Sequence, residues 1–173
     1  MKKIATLLLL WQSLSSAFLI DSKRVMVSIG ESKDHTHISI YRLGVRENFR
    51  QKWFKSSIGY LSGYYELSAN YWVKGRSSNF GIALSPVFTY NFTFLPTTLQ
   101  PYIEGGIGGS LWTDTMIATR NVSSHFLFED RIGAGVRYKR YDLNFCYMHY
   151  SNAGLVKPNS GIDIFMLSLS FHY

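Results

Sequence analysis

The sequence has a single cysteine, Cys146, among 173 residues. No disulfide can form within the chain, and no thiolate metal site can be built. Long apolar runs are missing too: nothing after the first twenty residues reaches the roughly 18 unbroken apolar residues that a transmembrane helix needs. Acidic side chains are in deficit, 11 against 18 lysines and arginines. A mild positive balance suits an anionic surface, whether membrane phosphates or nucleic acid, and does not separate the two.

The first residues narrow that choice. Lys2 and Lys3 precede an apolar run from Ile4 to Trp11, and Ser15, Ser16 and Ala17 supply the small residues of a signal-peptidase site. Residues 1–17 are expected to be a signal peptide, leaving residues 18–173 as one domain. Removing Lys2 and Lys3 from the 18 basic residues leaves 16 against 11 acids, a net of +5. Export argues against a nucleic acid partner.

Aromatics and glycines are abundant: 12 Tyr, 12 Phe, 4 Trp and 14 Gly, spread along the chain. Such a spread suits short strands with interfacial girdles. Segments of about ten residues alternate between apolar and polar or small positions. Leu61, Tyr65, Leu67, Tyr71 and Val73 oppose Ser62, Glu66, Ser68 and Asn70; Phe80, Ile82, Leu84, Phe88 and Tyr90 oppose Gly81, Ser85, Thr89 and Asn91. Ile103, Ile107 and Leu111 oppose Glu104 and Gly108, and Phe128, Ile132, Ala134 and Val136 oppose Glu129, Arg131 and Arg137. A Lys139-Arg140 turn leads to Leu143, Phe145 and Tyr147, and Phe165 to Tyr173 closes the series. Val25 to Ile29 and Tyr41 to Val45 make two weaker strands at the start. Ile38 and Ile40 fall out of phase, suggesting a bulge or a loop end, and Asp130 interrupts the apolar side of its strand without explanation.

Eight strands of this kind fit a soluble sandwich or a membrane barrel. The signal peptide, the aromatic faces, and the glycines and charges on the opposite faces favour an all-β, eight-stranded antiparallel transmembrane β-barrel. Glu66, Glu104, Glu129, Arg131 and Arg137 would then pair in a filled lumen. Both termini of such a barrel lie in the periplasm, so the loop between the last two strands lies at the extracellular rim.

That loop carries the chemistry. His149 and Ser151 share one face of their strand, because side chains alternate with a period of two. A returning strand can set Asp163 opposite His149. A serine, a base and an orienting acid would then meet on one surface. A His-x-Ser pair with a later Asp is weak by itself, but all three fall on the lipid-facing side. There ionisable groups are costly and point to function. His35 and His37 lack a third metal ligand, and Lys157 reads as an exposed loop lysine.

The run His149-Tyr150-Ser151-Asn152-Ala153-Gly154, followed by Pro158-Asn159 and Gly161-Ile162, resembles the signature of the PagL-type lipid A 3-O-deacylases. Tyr41-Arg42-Leu43-Gly44, Ser62-Gly63-Tyr64, Ser85-Pro86-Val87-Phe88, Pro101-Tyr102-Ile103-Glu104 and Phe128 to Gly135 extend the likeness over most of the chain. The resemblance implies an outer-membrane serine esterase that removes the 3-hydroxyacyl chain at the 3-position of lipid A, modifying lipopolysaccharide. It implies His149, Ser151 and position 163 as catalytic, with the family's glutamate replaced by Asp163, one methylene shorter. It also implies the Ala153 and Gly154 N–H groups and the Asn159 amide as oxyanion donors, with no metal or cofactor. Lipid A and outer-membrane lipids are the implied partners, and the family makes a homodimer conceivable. A non-catalytic barrel serving as an adhesin or structural protein, or a barrel acyltransferase, would share much of this pattern.

Overall fold

The computed structural model describes residues 23–33, 37–95 and 98–173. The expected signal peptide and His35 lie outside them. Ten strands follow in order: β1 Lys23–Ser32, β2 Ser39–Asn48, β3 Gly59–Lys74, β4 Ser77–Phe92, β5 Leu99–Trp112, β6 Met116–Ile117, β7 Arg120–Asn121, β8 Phe126–Tyr138, β9 Tyr141–Ser151 and β10 Ile162–His172. Eight close into an antiparallel barrel, and β6 and β7 form a separate small hairpin. β1 pairs with β2 on one side and with β10 on the other, from Arg24 opposite His172 to Ser32 opposite Ile164. Closure gives every barrel strand a partner on both sides and leaves no open edge, a requirement of life in hydrocarbon.

The alternation read from the sequence sets the faces. Leu43, Leu67, Leu84, Ile103, Ile132, Phe145 and Leu167 stand exposed on the outer wall. An apolar belt this extensive is far larger than water tolerates on a soluble surface and suits a bilayer. The inner face is polar in its middle. There Arg42 Nη2 meets Glu66 Oε1 and Glu129 Oε1 at 2.7 Å each, Arg46 Nε meets Glu66 Oε2 at 2.7 Å, and Arg131 Nη2 reaches Glu66 and Glu129 at 2.8 and 2.6 Å. Tyr150 and Ser85 hydroxyls donate to Glu129, both at 2.7 Å. Such pairing offsets the several kcal/mol that each buried ion would otherwise cost. Glu104 instead accepts from the Tyr64 hydroxyl at 2.7 Å, and Arg137 pairs with Asp142 at 3.2 Å.

Towards the rim that carries the β9–β10 loop, the lumen turns apolar, with Ile38, Ile40, Trp72, Trp112, Met148 and Ile164 fully or almost fully buried. This explains the phase shift seen in the sequence. Ile38 ends the loop before β2, and Ile40 lies within the strand opposite Trp72 and Gly30 with no bulge. Both point inward because the barrel is plugged by hydrocarbon at this end and by charge below it.

Candidate active site

β9 carries Tyr147, His149 and Ser151 on its outer face. Its pairing with β10 sets Asp163 directly opposite His149, and its pairing with β8 sets Asp130 opposite the same histidine. His149 Nδ1 lies 2.7 Å from Asp163 Oδ1, with both side chains about two-fifths exposed, at 39 % and 41 %. The shorter acid reaches the imidazole because the two residues are register partners. The Tyr147 hydroxyl donates to the same Oδ1 at 2.6 Å. Tyr147 reads in the sequence as another lipid-facing aromatic; its hydroxyl has no signature there.

With Nδ1 held by the carboxylate, Nε2 is the imidazole nitrogen left to act on a nucleophile. Ser151 ends β9 two residues on. Its Oγ accepts a long hydrogen bond from Ala153 N–H, 3.4 Å, and among the described residues it is not bonded to His149. Rotation about the serine χ1, which has three staggered wells, is the motion that redirects the hydroxyl. Catalytic hydrogen bonds commonly tighten only around substrate.

The β9–β10 loop is held by Asn152, which is buried. Its Nδ2 donates to Val122 O at 2.7 Å and Val156 O at 2.8 Å, and its Oδ1 accepts Gly154 N–H at 2.9 Å. Asn159 Oδ1 accepts Asn152 N–H at 3.3 Å. Of the three expected oxyanion donors, Ala153 N–H thus stands beside the serine oxygen, Gly154 N–H is engaged by Asn152, and Asn159 is fixed through its oxygen, with its NH2 as the donor end. Ala153 and Gly154 take positive φ, 54° and 77°, and Gly161 follows with φ 53°. A Cβ at Gly161 would stand 3.1 Å from His149 Cε1, so glycine lets the chain pass close to the imidazole.

The β6–β7 hairpin clamps the far side of this loop. Arg120 donates to Ser160 O at 3.0 Å and to Gly161 O at 3.5 Å, while Ser160 N–H donates to Asn121 O at 3.0 Å. Asp130, unexplained in the sequence, gives the site a second carboxylate. Below it an open apolar groove of about 740 Å³ runs down the outer wall, between Ile103, Ile132 and Tyr147, over the small residues Gly105 and Ala134. His37 pairs with Glu31 at 2.7 Å on the surface, and among the described residues no cluster of metal-binding side chains occurs. Lys157 is exposed in the loop.

Comparison with known proteins fits this arrangement. Residues 39–172 match the family model described as lipid A 3-O-deacylase (PagL). Lipid A deacylase PagL of Pseudomonas aeruginosa is 34 % identical over 170 residues, 96 % of each chain, and that of Bordetella bronchiseptica is 32 % identical over 114 residues, 62 % of this chain and 61 % of its own. The crystal structure of the outer membrane enzyme PagL superposes with a TM-score of 0.80 at 32 % identity, covering 86 % of this chain and 98 % of that one.

Proposed function

The chain belongs to the PagL family of lipid A 3-O-deacylases, and on that premise we propose that it works as a serine esterase through Ser151, His149 and Asp163. It is a lipid A deacylase of the outer membrane; the residue roles are the proposal. The observation that carries them is the His149–Asp163 pair at 2.7 Å on the lipid-facing wall, with a serine two residues along the same face. An ionisable pair in that position has no packing reason, and lipid A reaches the protein from that side.

In this mechanism His149 Nε2 takes the Ser151 proton as Oγ attacks the ester carbonyl at the 3-position. Asp163, accepting from Nδ1–H, fixes the tautomer and stabilises the imidazolium, and Tyr147 holds the carboxylate in place. Ala153 N–H and the Asn159 amide are the donors to the oxyanion, a role that requires an approach of about 2.7 to 3.1 Å once substrate is bound. The tetrahedral intermediate then collapses, His149 protonates the departing sugar oxygen, and water hydrolyses the acyl-enzyme to release a 3-hydroxy fatty acid. The groove between Ile103 and Ile132 suits the acyl chain, since its floor and walls are apolar. Asp130 adds negative potential beside the imidazolium. β8, β9, β10 and their loops supply every group from one chain, so a homodimer is not required.

The test is the mass of lipid A from cells making the protein, beside a Ser151→Ala control. Loss of one 3-hydroxyacyl group with the wild type alone is expected. The same loss with Ser151→Ala would remove the serine from the chemistry, and a gain of an acyl chain would indicate a transferase.

A further inference from the structure

The end of the barrel opposite the active site carries a second unusual surface. It holds both barrel termini, the loop 49–58, the loop after β4 and the Lys139-Arg140 turn. β3 begins at Gly59, five residues before its first β2 partner, Tyr64 opposite Asn48. The loop 49–58 covers that stretch: Phe49 N–H donates to Gly63 O at 2.8 Å, and Trp53 and Leu61 exchange backbone hydrogen bonds at 2.8 and 2.9 Å. Phe49 lies on the outer wall, with ring centroids 4.8 Å from Tyr65 and 5.5 Å from Phe88. A Cβ at Gly63 would come within 2.5 Å of that ring, so the glycine admits it. The loop is strapped against the lipid-facing belt instead of hanging below the barrel.

What it presents outward is apolar and cationic. Phe54 is 80 % exposed with φ 48°, a left-handed backbone that bulky residues rarely adopt. Trp53 and Ile58 are exposed beside it, and so are Phe94 and Leu95 of the next loop. The two loops are tied by Thr93 N–H to Ile58 O at 3.0 Å and Thr93 Oγ1 to Ser57 O at 3.3 Å. Arg50 stands beside Trp53, Tyr65 and Phe88, and Lys55 is exposed in the same loop; Lys52 is exposed too, but its Nζ lies 4.4 Å from the centre of the Tyr60 ring, at the mouth of the lumen beside Gln100 and Arg137. Residues 49–58 contain no acid. Aromatics continuous with the membrane belt and flanked by cations form the pattern of an interfacial anchor.

We propose that loop 49–58 is an anchor in the periplasmic leaflet of the outer membrane, with Trp53, Phe54 and Ile58 sunk to the acyl boundary and Arg50 and Lys55 paired with the phosphates of anionic phospholipids. Its separation from the active site along the barrel leaves lipid A contacts untouched. The anchor fixes the depth and tilt at which the site on the other rim meets its substrate.

The experiment uses the protein reconstituted in phosphatidylcholine vesicles doped with equal small fractions of brominated phosphatidylcholine or brominated phosphatidylglycerol. Trp53 emission is isolated by subtracting the Trp53→Phe variant, since Trp72 and Trp112 are buried in the lumen. Trp53 is expected to be quenched by both lipids and protected from aqueous acrylamide. Phosphatidylglycerol is expected to be enriched about the loop by roughly fivefold, the gain of one basic residue at an anionic surface. Neutralising Arg50 and Lys55 together to glutamine should abolish the preference while lipid A hydrolysis in detergent persists. Quenching by acrylamide but not by brominated lipid would put the loop in water and overturn the proposal, and equal quenching by both lipids in the wild type would overturn its anionic partner.

Discussion

At the scale of single residues, the site turns on how one carboxylate is held. Asp163 lacks the reach of glutamate, yet direct register with His149 and a second hydrogen bond from Tyr147 fix its Oδ1. Asp163→Asn should lower kcat by roughly a thousandfold or more through loss of the correct tautomer, measured as 3-hydroxy fatty acid released from lipid A in detergent. Tyr147→Phe removes one hydrogen bond to the carboxylate and should lower kcat about fivefold with little change in KM. An unchanged kcat would mean that His149 alone positions Asp163. His149, Ser151 and Asp163 could be singled out in the sequence because a period-two pattern sets all three on one face. Tyr147 and Asp130 could not: one is an aromatic among many, and the other becomes meaningful only through the β8–β9 register, which a single strand does not reveal.

At the scale of elements, the alternating strands were legible because a barrel wall has two solvents, lipid outside and polar lumen inside, and each imposes the same period. The places where this fails are informative. Ile38 and Ile40 break the phase because the lumen itself changes from charged to apolar near the rim. The β6–β7 hairpin left no trace in the sequence reading, since two-residue strands carry no periodicity. It braces the loop of the site through Arg120 and Asn121, and Asn152 locks that loop from within. Asn152→Ala strips three hydrogen bonds from a buried position. It is expected to make residues 152–161 susceptible to protease and to cut activity at least tenfold, with the heat-dependent gel mobility of the folded barrel unchanged. Activity retained with the loop cleaved would show that the loop does not carry the oxyanion donors.

At the scale of the whole molecule, charge inside and hydrocarbon outside divide stability from chemistry. Breaking the lumen network by Glu66→Ala leaves Arg42 and Arg131 sharing Glu129 and takes from Arg46 its 2.7 Å carboxylate partner; it should cost about 3 to 5 kcal/mol of stability, read as a lower urea midpoint for unfolding from detergent or vesicles. The folded fraction should keep its activity, because no member of that network lies on the outer face. On the proposed mechanism the enzyme inverts the usual arrangement of a globular hydrolase, with Ser151, His149 and Asp163 acting on the outside of a filled barrel, where the substrate is part of the surrounding solvent. The most direct test is covalent labelling of the purified protein in detergent with a long-chain alkyl phosphonofluoridate, followed by peptide mass analysis. One adduct is expected, on the peptide bearing Ser151, absent from Ser151→Ala and strongly reduced in His149→Ala. An active protein that takes no label at Ser151, or a Ser151→Ala protein that still releases the 3-hydroxyacyl chain, would contradict a serine nucleophile on the lipid-facing wall.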